Sequence, residues 1–360
     1  MIPIYSPHFN EENLKYAHDA INSGWVSSHG EYLDIVKDEL KSLISCKKII
    51  LTNNGTTATH LMSIALKYKY PNITKIIVPN NVYVAAWNSF LYDKNYELIP
   101  IDSDLDTWNI DINKISDKID ENTAILVVHN IGNVVNVLDL KRRFPNTVIL
   151  EDNCEGFLGK YENKYTSTES FASSISFFGN KTLTSGEGGA FITNDDDVFE
   201  YINCIKNQGQ SSIKFIHSHL GYNYRMTNIQ AAILYGQLKD FEFIKTNKIR
   251  IFNRYKKILS NKIVTQKISE NTEHSNWMFG LRFINIDTES KKNLEINLYQ
   301  NGIETRPMFY SINNHRHLKN ITSINTNSDI LQKECLILPS YPDLKNGQVD
   351  FIIEKISKII

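Results

Sequence analysis

The chain has 360 residues, 22% charged and 41% hydrophobic, with a formal net charge of −1. That length exceeds one small core and fits a large domain with a smaller companion, and the balanced charge argues against a polyanion-binding surface, so nucleic acid is not an expected partner. No apolar run approaches a membrane span, the start Met-Ile-Pro-Ile-Tyr-Ser-Pro lacks the features of a signal peptide, and Cys46, Cys154, Cys204 and Cys335 are too scattered for a disulfide framework or a zinc site; a cytoplasmic protein without a membrane partner is expected.

Taken in order, the first strand-like run is Ile49-Ile50-Leu51, followed by Asn54-Gly55-Thr56-Thr57-Ala58 and a helical run from Thr59 to Tyr68. Ile76-Ile77-Val78 leads into Pro79-Asn80-Asn81 and Tyr83, and Ala124 to Val128 leads into His129-Asn130. Val148-Ile149-Leu150 meets Glu151-Asp152, a buried strand from Ser173 to Phe178 precedes Lys181, and Ala190-Phe191-Ile192 meets Thr193-Asn194-Asp195. Asp195-Asp196-Asp197 reads as a helix start. From Thr227 to about Leu259 the period is helical, with a break near Asp240, and beyond 260 the runs are mixed, ending in an amphipathic helix from Asn346 to Ile360.

Continuous apolar strands with polar carboxyl ends, separated by helices, predict a mostly parallel sheet covered on both faces. The fold class is α/β: a large domain, 1–240, with a smaller C-terminal α+β domain, 241–360. Ligands of such sheets bind beyond the carboxyl ends of the strands. Asn81, His129, Asp152 and Lys181 fall at that edge.

Lys181 stands among hydroxyls and glycines in Ser176-Phe-Phe-Gly-Asn-Lys-Thr-Leu-Thr-Ser-Gly-Glu-Gly-Gly189. An unpaired ammonium next to an apolar wall needs a reason. A Schiff base with the aldehyde of pyridoxal 5'-phosphate supplies one. That chemistry needs an anion beside the pyridine nitrogen, and Asp152 is placed for it; alone, it reads equally as a strand terminator. Glu155 is placed for the ring's phenolic oxygen. A phosphate needs a cradle, which Gly55, Thr56 and the helix start offer along with Ser176, although Asn54-Gly55-Thr56 alone reads as a simple cap. An aromatic ring against the cofactor face is the last requirement, met by Tyr83.

Asn54-Gly55-Thr56, Glu151-Asp152, Ser176 to Thr182 with Gly186 to Gly189, and Gly221 to Thr227 resemble the DegT-type nucleotide-sugar aminotransferases, which are fold-type I enzymes. The likeness runs from Gly24-Trp25-Val26-Ser27-Ser28 to Leu338-Pro339-Ser340-Tyr341-Pro342. Phe178-Gly179-Asn180-Lys181 and Glu304-Thr305-Arg306-Pro307 resemble the perosamine synthases within that family. The resemblance implies that Lys181 and Asp152 are catalytic and that Gly55, Thr56 and Ser176 hold the phosphate. It implies that Asn223 reaches the phosphate of a second subunit, making a homodimer with a shared active site, and that His217 and Arg306 lie near the sugar nucleotide. Some relatives carry His in place of this Lys and dehydrate the sugar; Lys181 favours transamination.

The expected reaction moves an amino group from glutamate to a nucleotide-linked 4-keto-6-deoxyhexose, giving a perosamine- or viosamine-type sugar. Rival readings are a 3-keto sugar or cyclitol ketone as acceptor, or a non-catalytic sensor on the same fold. His129-Asn130-Ile131-Gly132 departs from the family's usual His-Leu-Tyr-Gly and leaves the sugar and its nucleotide open. No metal is expected: Asp102-Ser103-Asp104-Leu105-Asp106 lacks the Gly and Glu of a calcium loop, having Thr107 and Asn113 instead, and the His217/His219 and His315/His317 pairs have no companions.

Overall fold

The computed structural model describes residues 1–359. Five strands come first: β1 (Lys48–Thr52), β2 (Lys75–Pro79), β3 (Glu97–Ile101), β4 (Thr123–Val128) and β5 (Val148–Asp152). A short hairpin follows, β6 (Lys160–Tyr161) and β7 (Lys164–Tyr165), then β8 (Ala172–Ser176) and β9 (Gly189–Thr193). Seven of these form one sheet in the order β1-β9-β8-β5-β4-β2-β3. The pairs from β8 through β5, β4 and β2 to β3 are parallel, and β9 alone runs antiparallel to both its neighbours. The carboxyl ends of β1, β2, β4, β5 and β8 therefore share one edge. Every residue of β4, β8 and β9 is buried, as expected of strands covered on both faces.

One face of the sheet packs on the helices Gly55–Lys69 and Ala85–Leu91, with Leu61, Met62, Trp87 and Phe90 fully buried. The other face is covered in part by the helices Glu31–Ile44 and Asn228–Lys239. The latter helix starts at Thr227, whose capping box with Gln230 satisfies its first turn, and it breaks at Asp240 before a second helix, Phe241–Tyr255.

A second sheet, β10 (Ile263–Val264), β12 (Phe279–Phe283), β14 (Cys335–Leu338) and β13 (Arg306–Pro307), packs with helices Phe241–Tyr255, Thr288–Gln300 and Asn346–Ser357 around Phe279, Leu281, Leu294 and Leu336. The remaining strand, β11 (Thr272–Glu273), pairs with β6. The amino terminus docks on this second core: Ile2 bridges to Ile303, and Tyr5 packs against it.

Three boundaries and one strand differ from the sequence reading. The helix expected from Thr59 begins at Gly55, because the Asn54 side chain accepts from Thr57 N–H at 2.9 Å and caps it there. β3 was not anticipated; Pro100 interrupts its pattern, which an edge strand tolerates since one side has no ladder to break. The strand expected to reach Phe178 ends at Ser176, and the last helix ends at Ser357, with Ile360 outside the described residues.

Candidate active site

At the shared carboxyl edge lies a cavity of about 420 Å³. Of the sequence-chosen residues, Gly55, Thr56, Tyr83, Asp152, Glu155, Ser176, Lys181 and Arg306 all line it. His217 and Asn223 do not: both are exposed, on a segment where Gln210 bridges to His217 and Asn207 to Asn223. His217 Nδ1 lies 2.9 Å from the Gln208 carbonyl.

The phosphate-sized end is built by close approach. Gly55 opens its helix directly against β8, where an added Cβ would meet Ser176 Cβ at 2.6 Å and Oγ at 2.9 Å. Thr57 N–H is taken by Asn54, while the N–H groups of Gly55 and Thr56 precede it in a first turn that has no intrahelical acceptors. Gly189, at the start of β9, lets that strand pass Asn54, whose carbonyl oxygen would lie 2.4 Å from a Cβ there.

At the end of β5, the two-residue alternation of a strand separates adjacent carboxylates. Asp152 is turned to the cavity, and its Oδ1 accepts from Cys154 N–H at 3.1 Å. Glu151 is turned away and fully buried, accepting from Ser167 N–H and Ser170 Oγ. His129 belongs to that second group. Its Nδ1 accepts from Val135 N–H at 3.0 Å, so the proton sits on Nε2, which donates to Glu151 Oε1 at 2.8 Å. His129 and Asn81, placed at the sheet edge by sequence, hold loops together and do not line the cavity.

Glu155 Oε2 accepts from Ile131 N–H at 2.8 Å. Burial pushes its carboxyl up to about 7, the Lys181 charge and the Ile131 N–H pulling against that shift and Asp152 adding to it. Burial likewise holds the Cys154 thiol protonated, again with Asp152 and Lys181 acting in opposite directions. Lys181 and Asp152 thus act on the same two neighbours. Ile131 sits in the left-handed region, φ 57°, a conformation uncommon for a β-branched residue, which the Glu155 contact helps to hold.

Lys181 follows a tight turn, its N–H donating to the Phe178 carbonyl at 2.9 Å. Tyr5 Oη donates to the Lys181 carbonyl at 2.6 Å, and Lys181 Nζ lies 4.0 Å from the centroid of the Trp277 ring. Trp277, Met278, Phe309 and Ile337 come from the second half of the chain and complete an apolar wall opposite the sheet edge. Sequence reasoning missed them all; Trp277 precedes the strand Phe279–Phe283, in a stretch with no motif that ties it to the distant Lys181. Tyr83, 60% exposed, stands at the cavity with Phe309 at 6.3 Å between ring centroids, and Arg306 opens β13 in an exposed position. A primary amine and a carboxylate in one cavity, with a helix start for an anion, can condense with a carbonyl compound and hold a phosphorylated one.

Comparison with known proteins bears on this geometry. The DegT/DnrJ/EryC1/StrS aminotransferase family matches residues 7–357. A GDP-perosamine synthase of Escherichia coli O157:H7 is 32% identical over 362 residues, covering 99% of this chain and 98% of that protein. The GDP-perosamine synthase of Vibrio cholerae is 32% identical over 359 residues, covering 97% and 96%. Among solved structures, E. coli GDP-4-keto-6-deoxy-D-mannose-3-dehydratase with bound hydrated PLP superposes with a TM-score of 0.90 at 23% identity, covering 99% of each chain.

Proposed function

Since the chain belongs to the DegT/DnrJ/EryC1/StrS aminotransferase family, we propose that it uses pyridoxal 5'-phosphate to move an amino group from glutamate to the 4-keto carbon of a GDP-linked 4-keto-6-deoxyhexose. The observation that carries this reading is the presence of Lys181, Asp152 and the Gly55–Thr56 helix start in one cavity. These residues fit the cofactor. The close approach of Gly55 to Ser176 leaves a cradle that a single Cβ would fill, and Lys181 meets a ring face rather than a carboxylate. The GDP-linked substrate follows from the perosamine synthases at 32% identity.

When bound, the cofactor supplies an aldehyde that takes up the amino group and a ring that accepts the electron pair of the deprotonated carbon. Lys181 would hold it covalently and, once displaced, would carry the proton between carbon atoms. Asp152 would keep the ring nitrogen protonated, because a carboxylate favours the charged form of its neighbour. Gly55 and Thr56 N–H groups and Ser176 Oγ would bind the phosphate. Glu155 would serve the phenolic oxygen, Tyr83 would supply the aromatic contact, and Arg306 would offer a guanidinium to the pyrophosphate. Glutamate leaves as 2-oxoglutarate and the ketone leaves as the amine, so atoms and electrons balance across the two halves.

The roles given to Asn223 and His217 call for a homodimer. Both lie outside this chain's own cavity on a segment that exposes Ile213 (65%), Phe215 (78%), Ile216 (54%) and Leu220 (90%), an apolar cluster suited to cover by a second copy. The division into a cofactor-binding part, 1–240, and a smaller part, 241–360, belongs to the same reading, as does a cytoplasmic setting. No helix of the described residues is long and apolar enough to cross a membrane.

The test is incubation with glutamate and GDP-, UDP- or dTDP-linked 4-keto-6-deoxyhexoses, with mass and NMR analysis of the product. A 4-amino sugar together with 2-oxoglutarate is expected. Release of a 3-deoxy product, or amination of 3-keto substrates alone, would overturn the assignment.

A further inference from the structure

Lys248 lies on the inner face of helix Phe241–Tyr255 and is 1% exposed. No carboxylate pairs with it among the described residues. Its Nζ donates to the carbonyls of Trp277 at 2.8 Å and Ser340 at 2.7 Å, and lies 5.1 Å from the centroid of the Tyr5 ring. A buried ammonium without a counter-charge is costly, and burial pushes this one down to about 7. An apolar side chain would fill the space without that cost. What a lysine adds is a set of donors on a long stem, able to fix two carbonyls that flank β12 and β14.

Two of the three residues that Lys248 touches reach Lys181. Tyr5 donates its hydroxyl to the Lys181 carbonyl. Trp277 donates its indole N–H to the Asn180 carbonyl at 2.8 Å and sets its ring face under Lys181 Nζ. The contacts form a closed loop, Lys181–Tyr5–Lys248–Trp277–Lys181, joining the amino terminus, the second sheet and the turn after β8.

We propose that Lys248 is a positioning residue for Lys181, fixing Trp277 as the surface on which the Lys181 amino group rests whenever it is not covalently engaged. The inference rests on the aminotransferase reading above. A rest site inside the cavity keeps the amine within reach of the carbon it must deprotonate, and a small displacement there is expensive in rate. Substrate affinity comes from other parts of the cavity and is left almost untouched.

The experiment compares wild type, Lys248→Met, Trp277→Leu and the double variant, each loaded with pyridoxal 5'-phosphate. Visible absorbance and circular dichroism report the bound cofactor, and kcat and KM are measured separately. Lys248→Met should keep a visible chromophore with altered circular dichroism, lose about tenfold or more in kcat, and hold KM within about twofold. Because Lys248 acts through Trp277, the double variant should be no slower than Trp277→Leu alone. Wild-type circular dichroism and kcat in Lys248→Met, or losses that simply add in the double variant, would overturn the proposal. Should Lys248→Met not fold, Trp277→Leu by itself removes the surface on which Lys181 rests, and wild-type circular dichroism and kcat in that variant would overturn the proposal equally. A wild-type protein that develops no visible chromophore would instead sink the aminotransferase reading itself, an outcome distinct from any difference among variants.

Discussion

Two side chains divide the work at the residue scale. Lys181 carries an amine that no carboxylate of the described residues neutralises directly, resting on an aromatic face, and Asp152 presents a carboxylate to the same cavity. Replacing Lys181 with Ala should abolish both the visible chromophore on adding cofactor and any turnover; a Lys181→Ala protein that still transaminates would refute the assignment. Glu155 gives a pH signature. Its carboxyl is pushed up to about 7 in the folded chain against an ordinary value near 4.5. The folded state therefore holds a proton that the unfolded state has lost between those values. Stability is highest below the lower value and falls as pH rises through the upper one, by on the order of 3 kcal/mol in total. In the cofactor-free protein, melting temperature should drop from pH 5 to pH 8 more steeply in wild type than in Glu155→Gln; parallel curves would show that Glu155 ionises normally.

Elements matter here through their ends. The helix Gly55–Lys69 presents its first N–H groups to the cavity only because it starts against β8 without a Cβ between them. Gly55→Ala forces that contact apart, and overpacking of this kind costs about 1–3 kcal/mol. Most of that cost should fall on the anion cradle. Cofactor dissociation measured by equilibrium dialysis should weaken about tenfold or more, while far-ultraviolet circular dichroism stays unchanged. Four strand ends were legible before any coordinates, since apolar runs closing in polar residues marked β2, β4, β5 and β9. The helix start was displaced by four residues, from Thr59 to Gly55, because a side-chain cap and not periodicity sets it.

Across the whole molecule, the cavity needs both sheets and, on the proposed reading, two chains. Trp277, Met278, Phe309 and Ile337 face the sheet edge from a part of the chain more than a hundred residues distant in sequence from Asp152. On that reading the exposed segment with Asn223 meets a second copy. If Asn223 completes the partner's site, Asn223→Ala and Lys181→Ala subunits should complement each other. Each would be inactive or weak alone, and after subunit exchange a mixed dimer would hold one site with neither defect. Activity returning to about a quarter of wild type in an equal mixture is the expected result. No recovery after demonstrated exchange would place Asn223 in its own chain's site.

The sequence by itself determined the α/β class and the sheet edge at which Lys181, Asp152 and Gly55 meet, because strand burial and helix starts are written in local residue order. Only the tertiary structure decided that Glu151, beside the expected Asp152, turns away to pair with His129, and that Trp277, Tyr5 and Lys248 stand behind Lys181. Those are contacts between residues far apart in the chain, and no local pattern encodes which distant carbonyl or ring a side chain will meet.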